Sequence, residues 1–408
     1  MSDIMNERIS ELLKMLDDVD DFNREIIEKG SVKVKKGEEV KKDGETKKEE
    51  KKVEIKRVMS PSSMVKELNK TIIGHPEAKK QLATIFFKYL MERENESKLK
   101  EMGKELTKSS LIITGDSGVG KTFLIQELCR ILGMDFLLVD CSNATAEGYK
   151  GDSITDKISK LYNICDGDIG RIKRSVILLD EFDKAVKSPE SNGKDINGKS
   201  VQQELLKILE GRDIEVECQS GYFKTKTSFN TSSIMFICTG TFNNSDCNIE
   251  DIVRKRIDKK GRKTMGFLSE KTTEEAVKND RREVRKNITL EDIAEYGFSE
   301  EVLGRIGTVI NLLPLTKEDY VAIAHLDKNS FGEYEATMNL LGKKLIIKEE
   351  VYELLGELMM TKKTNSRALK PLVDSIMIDI IYDASENTKK KNYKIDREYV
   401  EKVMEMNS

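Results

Sequence analysis

The spacing of apolar residues predicts a helix at the start of the chain, a charged linker after it, and an ordered region from about residue 60. Residues 1 to about 28 carry apolar side chains at helical spacing, among them Ile9, Leu12 and Leu16. Residues 31–57 mix lysine and glutamate with almost no apolar side chain to bury. Such a composition is typical of a solvated linker.

Four apolar runs rich in branched residues predict buried strands. They are SSLIITG (109–115), DFLLVDCS (135–142), SVILLDEFDK (175–184) and SIMFICTGT (233–241). A helical pattern, KTFLIQELCRILG (121–133), follows the first run. Because strands alternate with helices, the pattern favours an α/β fold in which helices cover both faces of a parallel sheet.

The pattern changes after Pro314. Only the short YKID (393–396) suggests a strand there, whereas three longer stretches have helical spacing. We therefore predict three regions along the chain. They are an amino-terminal helix with a flexible charged linker (1–57), a large α/β domain (58–314) and a smaller, mainly helical domain (315–408).

The composition argues against a membrane protein and against a zinc protein. The 408 residues hold 70 Lys and Arg against 73 Asp and Glu, so the net charge does not indicate a nucleic-acid ligand. No apolar run approaches the roughly 20 residues of a membrane-spanning helix, and no signal-peptide pattern opens the chain. The six cysteines show no C-x-x-C spacing and there are only two histidines, so no zinc site is expected. We expect a cytoplasmic protein with reduced thiols.

The segment GDSGVGKT fits the phosphate-loop pattern G-x-x-x-x-G-K-[ST] and lies between a predicted strand and a predicted helix, as the motif requires. Its residues are Gly115, Asp116, Ser117, Gly118, Val119, Gly120, Lys121 and Thr122. The glycines let backbone N–H groups close around phosphate oxygens at the start of a helix. Lys121 is expected to reach the β- and γ-phosphates of ATP, and the Thr122 hydroxyl to bind Mg²⁺.

Two adjacent acids end the third predicted strand. Asp180 is placed to hold Mg²⁺ through water, and Glu181 to polarise the attacking water. A strand that merely ends in solvated acids is the weaker interpretation, because a phosphate loop precedes it. The pair therefore predicts a hydrolase that acts on a nucleoside triphosphate with Mg²⁺.

Seven segments resemble the AAA+ ATPases of the Clp/HslU unfoldase family, and the ClpX group is the most similar. They are IIGHPEAKKQLA (72–83), GDSGVGKT (115–122), EGYKGDS (147–153), VILLDEFDK (176–184), VQQELLKILEG (201–211), GFSEEVLGRIG (297–307) and SRALK (366–370). The resemblance runs from about residue 66 to the carboxyl terminus. It implies an AAA+ domain followed by a smaller helical domain, a homo-hexameric ring, polypeptide substrates, and ATP hydrolysis coupled to protein unfolding. The zinc domain that begins ClpX proteins has no counterpart in residues 1–57, which contain no cysteine.

The resemblance also implies which residues surround the nucleotide. Ile72 and Ile73 correspond to the pair that lines the adenine pocket. Thr239 or Thr241 corresponds to a polar sensor that faces the γ-phosphate, and the spacing does not choose between them.

Two arginines correspond to the catalytic arginines of the family. Arg305 matches the finger that a neighbouring subunit supplies, where a guanidinium neutralises charge on the transferred phosphoryl group. Arg367 matches the sensor arginine that reaches the nucleotide from the small domain. Asn365 and Ala368 stand where relatives usually carry glycines, so a stiffer start of the following helix is expected.

GYKG (148–151) lies where ring unfoldases carry an aromatic loop that projects into the central channel. Tyr149 would contact any polypeptide without sequence preference, and the flanking glycines would let it move. Lys150 stands where relatives have an apolar residue, and its charge would favour acidic chains. A tyrosine packed under a surface loop is the alternative.

Residues 248–287 form a charged segment with too few apolar residues to fold alone. Near its middle, Met265, Gly266 and Phe267 resemble the tripeptide with which ClpX docks on its barrel-shaped peptidase, ClpP. The resemblance therefore implies a ClpP-type peptidase partner, with a stand-alone protein remodeller as the alternative. A nucleic-acid motor is a further alternative, supported by the basic stretch VRKRIDKKGRK (253–263).

Overall fold

A parallel sheet forms the centre of the computed structural model, which describes residues 58–142, 153–185, 196–220, 223–244, 247–259, 274–326, 331–361 and 365–406. The strands in these ranges are β1 (Ser110–Thr114), β2 (Phe136–Asp140), β3 (Val176–Asp180), β4 (Asp213–Ser220), β5 (Phe223–Asn230), β6 (Met235–Gly240), β7 (Thr308–Asn311), β8 (Lys344–Ile347) and β9 (Asn392–Ile395). Five of them form one sheet in the order β2, β3, β6, β1, β7, and every pairing is parallel. The α/β class predicted from the sequence is confirmed.

Side chains alternate between the two faces of this sheet and build two apolar cores. Leu111 and Ile113 of β1 enter one core, whereas Ile112 between them enters the other. β3 and β6 repeat the alternation. Because a strand covered on both faces buries every side chain, its sequence is a continuous apolar run rather than an alternating one.

The four strands predicted for the large domain correspond to β1, β2, β3 and β6. Sequence analysis does not predict the fifth, β7. It lies at one edge of the sheet, and only Ile310 of its four residues is buried. An edge strand of this length has neither an apolar run nor a regular alternation, which are the two signals that mark strands.

Helices pack on both faces of the sheet. Those that precede β7 among the described residues are α1 (Pro61–Leu68), α2 (Pro76–Glu94), α3 (Glu96–Glu101), α4 (Lys121–Leu132), α5 (Ile154–Ile164), α6 (Ile169–Ile172), α7 (Ile196–Gly211), α8 (Ile249–Lys259), α9 (Glu274–Lys286), α10 (Leu290–Tyr296) and α11 (Glu300–Leu303). None of the helices in the described ranges has the length and apolar character that a bilayer crossing requires.

The charged segment 248–287 is helical at both ends. Ile249 and Val253 of α8 and Val284 of α9 pack into the core that contains Ile112. Contacts with the rest of the protein therefore supply the apolar burial that this segment lacks by itself.

The chain after β7 is mainly helical, as the sequence predicts. It contains α12 (Lys317–Ala324), α13 (Gly332–Leu340), α14 (Glu349–Thr361), α15 (Leu369–Glu386) and α16 (Arg397–Met406). The predicted strand at YKID corresponds to β9, which pairs in parallel with β8. Sequence analysis does not predict β8, because none of its four residues is fully buried. The remaining strands, β4 and β5, form an antiparallel hairpin.

Candidate nucleotide-binding site

The phosphate-loop segment connects the carboxyl end of β1 to the first residue of α4. Gly118 and Gly120 adopt left-handed backbone angles, with φ of 72° and 99°, which side-chain-bearing residues rarely adopt. At Gly115 a Cβ atom would lie 2.9 Å from Val119 Cγ1 and 3.1 Å from the Leu312 carbonyl oxygen, so a larger residue would displace its neighbours. The loop therefore curls around the amino terminus of α4, where backbone N–H groups attract anions.

Lys121 is the first residue of α4, and its ammonium group contacts the backbone at the start of the phosphate loop. Nζ donates hydrogen bonds to the carbonyl oxygens of Gly115 at 2.8 Å and Asp116 at 2.9 Å. Burial lowers the pKa of Lys121 to about 8, although the nearby carboxylates of Asp180 and Asp183 oppose the shift. In the part of the chain that the structure describes, Nζ donates only to these two carbonyl oxygens, and such a buried cation is well suited to bind phosphate oxygens.

Both carboxylate oxygens of Asp180 accept hydrogen bonds from threonines. Thr122 Oγ1 donates to Oδ2 at 2.9 Å, and the buried Thr239 donates to Oδ1. The first contact brings a hydroxyl and a carboxylate together beside the phosphate loop, and such oxygens are the ligands that Mg²⁺ prefers. These residues therefore fit a magnesium ion that accompanies ATP.

Glu181 follows Asp180 with a left-handed backbone, φ 52°. Residues other than glycine rarely adopt this conformation, and they do so most often where function requires it. The side chain is exposed and lines the cavity beside the phosphate loop. Glu181 is thus placed to contact a water molecule that approaches bound ATP.

Asp183 is a site residue that sequence analysis did not select. Its buried Oδ2 accepts hydrogen bonds from the Thr241 hydroxyl at 3.0 Å and from the backbone N–H groups of Thr241 and Phe242 at 3.2 and 2.8 Å. Asp183 fixes the chain just after β6. The two candidate sensor threonines therefore bind different carboxylates: Thr239 binds Asp180, and Thr241, which lines the cavity, binds Asp183. The one signal for Asp183 in the sequence is its position three residues after Asp180.

A cavity of about 660 Å³ opens beside the phosphate loop. This volume is within the range of small-molecule and cofactor sites. One part is polar, with the phosphate loop, Asp180 and Glu181. Another is apolar and is lined by Ile72, Ile73, Leu315, Ile323 and Leu326. Ile72 and Ile73 therefore lie where a planar base would be bound.

His75 contacts the phosphate loop. The sequence motifs do not indicate this residue. Its Nε2 lies 3.1 Å from the carbonyl oxygen of Val119. Burial lowers the pKa of His75, while this hydrogen bond and Asp319 oppose the shift. The neutral ring with its proton on Nε2 is the form that donates to a carbonyl.

Arg367 reaches the phosphate loop from the carboxy-terminal helices. It belongs to a single 3₁₀ turn, Asn365–Ala368, which precedes α15. Its Nη1 lies 3.3 Å from Ser117 Oγ, and the neighbouring Ser366 hydroxyl donates to the Gly118 carbonyl. Both residues line the cavity. The cavity is therefore closed on one side by the part of the chain that follows β7.

Arg305 lies at the other end of the sheet from the phosphate loop. Gly307, two residues later, donates its N–H to the carbonyl oxygen of Ser110 at the start of β1. β1 has five residues, which places its first and last Cα atoms about 13 Å apart at about 3.3 Å per residue. The described residues that line the cavity do not include Arg305. Arg305 is therefore remote from this cavity.

A buried charge cluster supports the phosphate loop from α9. Arg285 is 1% exposed and lies 2.6 Å from Glu250 and 2.8 Å from Asp116. Arg281, one turn earlier, contacts the same two carboxylates at 2.9 and 2.8 Å. The loop motif predicts the position of Asp116 but not its partners, although the four-residue spacing of the arginines puts them on one helix face.

Five predicted residues lie outside the described ranges. They are the channel residues Tyr149 and Lys150 and the docking residues Met265, Gly266 and Phe267.

Comparison with known proteins agrees with this geometry. The profile of the family described as AAA domain (Cdc48 subfamily) matches residues 106–309, which is half of the chain. The chain is 29% identical to the ATP-dependent Clp protease ATP-binding subunit ClpX of Borrelia duttonii, over 84% of this chain and 78% of that protein. It is 27% identical to ClpX of Bacteroides thetaiotaomicron, over 87% of this chain and 84% of that protein. The chain therefore belongs to the AAA+ ATPase family and is ClpX-like.

Proposed function

We propose that this AAA+ ATPase is an ATP-dependent protein unfoldase and translocase that acts as a homo-hexameric ring. The observation that carries the proposal is the separation of two required parts within one subunit. Lys121, Asp180 and Glu181 surround one cavity, whereas Arg305 lies at the opposite end of the sheet. An arginine finger in this position can act only on the nucleotide of a neighbouring subunit.

The residues of the cavity suit ATP hydrolysis. On ATP binding, Lys121 Nζ exchanges the carbonyl oxygens of Gly115 and Asp116 for phosphate oxygens. Thr122 and Asp180 would hold a Mg²⁺ ion, which would supply neutralisation of charge on the phosphates. Glu181 accepts a proton from the attacking water, and the base pocket between Ile72 and Leu326 holds the adenine.

Arg305 completes the site in trans. Charge that develops on the transferred phosphoryl group is stabilised by a guanidinium, which stays protonated at every physiological pH. A contact between the Arg305 surface of one subunit and the nucleotide surface of the next is heterologous. Heterologous contacts close into rings when the rotation between subunits allows it.

Arg367 and Ser366 connect hydrolysis to movement. They bind the phosphate loop through Ser117 and Gly118 but belong to the turn before α15. A change in the loop on phosphate release therefore alters how the carboxy-terminal helices are held. In a closed ring, such a change moves each subunit relative to its neighbours.

The predicted channel residue Tyr149 would transmit this movement to a polypeptide. This role of Tyr149 rests on the resemblance to ring unfoldases, and the glycines that flank Tyr149 would let its loop move. Met265, Gly266 and Phe267 would anchor the ring on a ClpP-type peptidase, because weak contacts that are repeated around a ring gain from effective concentration. The relatives named above are ATP-binding subunits of a Clp protease, which supports this partner.

Two arginines of the basic stretch 253–263 give little support to a nucleic-acid motor. Arg254 pairs with Asp280 at 2.6 Å, and Arg256 pairs with the buried Asp292 at 2.7 Å. Phosphate binding requires basic groups whose charge is available. In the described part of this stretch, these two arginines are already neutralised by carboxylates.

Measuring ATP turnover with two stimulants distinguishes a protein unfoldase from a nucleic-acid motor. We expect an unfolded protein to raise turnover severalfold and DNA to leave it unchanged. Stimulation by DNA and none by unfolded protein would favour the motor. For the peptidase, Phe267→Ala should abolish association with a ClpP-type barrel while ATP turnover persists. If degradation by the reconstituted pair is unaffected, the protein is better described as a stand-alone remodeller.

A further inference from the structure

Arg305 is held by a carboxylate of its own subunit. Its Nε and Nη2 lie 3.0 and 2.5 Å from the same oxygen, Oε1 of Glu210, which is in the last turn of α7. Within the described residues, no hydrogen bond from Nη1 is found. One edge of the guanidinium is therefore fixed, and the remaining nitrogen is available to another group.

The same helix also fixes the backbone that carries Arg305. Gln202 of α7 donates to the Gly297 carbonyl at 3.4 Å and accepts from the Ser299 N–H at 2.8 Å. Ser299 caps α11, and Val302 and Leu303 of α11 are buried in the core that α7 lines. The position of Arg305 relative to α7 is thus set twice, by Gln202 at the backbone and by Glu210 at the side chain.

We propose that Glu210 is a positioning residue for the arginine finger, an inference that rests on the proposed action of Arg305 in trans. A free arginine side chain samples many rotamers and loses that freedom when it binds a phosphate. A carboxylate that holds Nε and Nη2 removes most of this freedom beforehand. Such preorganisation lowers the barrier of the chemical step without changing the affinity of the site for ATP.

The exposure of the pair limits the size of the effect. The side chains of Arg305 and Glu210 are 50% and 41% exposed. Measured exposed pairs contribute at most about 1 kcal/mol, which corresponds to about a fivefold change in rate. We therefore expect loss of Glu210 to lower kcat about fivefold, far less than loss of Arg305 itself.

The test is a double-mutant cycle on ATP hydrolysis, with kcat and KM measured for Glu210→Ala, Arg305→Ala and the double variant. We expect Glu210→Ala to lower kcat about fivefold with KM unchanged, and to have no further effect when Arg305 is already alanine. Glu210→Gln keeps a neutral acceptor oxygen and should fall between wild type and Glu210→Ala. Lys207→Ala, at an exposed position one turn earlier on α7, is the matched control and should behave as wild type.

Sedimentation of each variant with ATP shows whether it still forms the ring, and so distinguishes a loss of Arg305 positioning from a loss of assembly. An unchanged or raised kcat in Glu210→Ala, or a fall of the same size in the Arg305→Ala background, would overturn the proposal. A fall that appears only together with loss of the ring would also overturn it. By contrast, an unchanged kcat in Arg305→Ala would show that the finger assignment itself is wrong.

Discussion

Thr122 Oγ1 donates a hydrogen bond of 2.9 Å to Asp180 Oδ2 and so joins the first turn of α4 to the end of β3. The two residues are 58 positions apart in the chain, yet both were expected beside Mg²⁺ from their motifs alone. Their contact brings together the residues predicted to bind phosphate and to activate water, because Lys121 and Glu181 are their immediate neighbours in sequence.

Substitutions of Lys121 and Glu181 should distinguish ATP binding from ATP hydrolysis. We expect Lys121→Ala to abolish nucleotide binding, because no other described ammonium group lies in the phosphate loop. Glu181→Gln should bind ATP as wild type does, trap assembled rings, and lose hydrolysis by about 10²-fold or more, as loss of a general base does. Binding of a fluorescent nucleotide and ATP turnover measure the two effects. Wild-type turnover in Glu181→Gln would contradict the assignment.

Removal of Arg367 should weaken nucleotide binding without unfolding the protein. A charge-assisted hydrogen bond contributes about 1.5–3 kcal/mol, so Arg367→Ala should raise the dissociation constant for ATP about tenfold or more. Arg397→Ala removes a half-exposed arginine that pairs with Glu401 and Glu357, away from the cavity. This control should bind ATP normally. Equal affinities for the two variants would show that Arg367 does not contact the nucleotide.

The buried charge cluster should be sensitive to loss of one carboxylate. In Glu250→Ala, the 1% exposed Arg285 keeps Asp116 as its one remaining charged partner within the described ranges. Breaking a buried ion pair costs about 3 kcal/mol or more, because the remaining charge is uncompensated. Glu401→Ala breaks an exposed pair and should cost about 0.5 kcal/mol or less. Urea unfolding followed by circular dichroism compares the two, and similar midpoints would refute the cluster's structural role.

His75 should make the stability of the protein depend on pH. Burial lowers the pKa of His75 in the folded state, against smaller opposing effects of Val119 and Asp319, and Lys79 and Arg282 lower it slightly. The unfolded chain, with an ordinary pKa of about 6.5, therefore binds a proton first as the pH falls. The contribution of His75 is complete above pH 6.5 and is lost progressively below it.

The experiment for His75 compares melting temperatures between pH 7.5 and 5.5. His75→Gln keeps a donor for the Val119 carbonyl but does not titrate, so its melting temperature should fall less than that of wild type. Parallel curves for the two proteins would show that His75 does not contribute to the pH dependence.

Local motifs were predictable, and contacts between distant segments were not. The phosphate loop and the Asp180–Glu181 pair are defined by short patterns next to buried strands, which sequence shows directly. Thr239 and Thr241 could not be separated from sequence, because each one's partner is set by how β6 packs beside β3. The pairing of Arg305 with Glu210 joins residues 95 positions apart, and no spacing rule connects them.

The missed strands have a related cause. β7 and β8 each have four residues, and at most one residue in each is buried. Their positions are fixed by backbone pairing with β1 and β9 rather than by an apolar pattern. Sequence patterns record burial, so strands with little burial leave little signal.

Tyr149 provides the variant that separates unfolding from hydrolysis. We expect Tyr149→Ala to keep ATP turnover near the wild-type rate, because the family resemblance assigns this residue to polypeptide contact and not to hydrolysis. Unfolding of a tagged globular substrate should fail. A variant that unfolds substrate as fast as wild type would show that the channel interpretation is wrong.

The most direct test of the account is the loss of native fluorescence from a stably folded fluorescent protein that carries an unstructured tag. We expect the wild-type protein with Mg²⁺ and ATP to abolish the fluorescence, and Glu181→Gln and Tyr149→Ala to leave it unchanged. A substrate that stays folded while the wild-type protein hydrolyses ATP, with acidic and neutral tags alike, would contradict the assignment as a protein unfoldase.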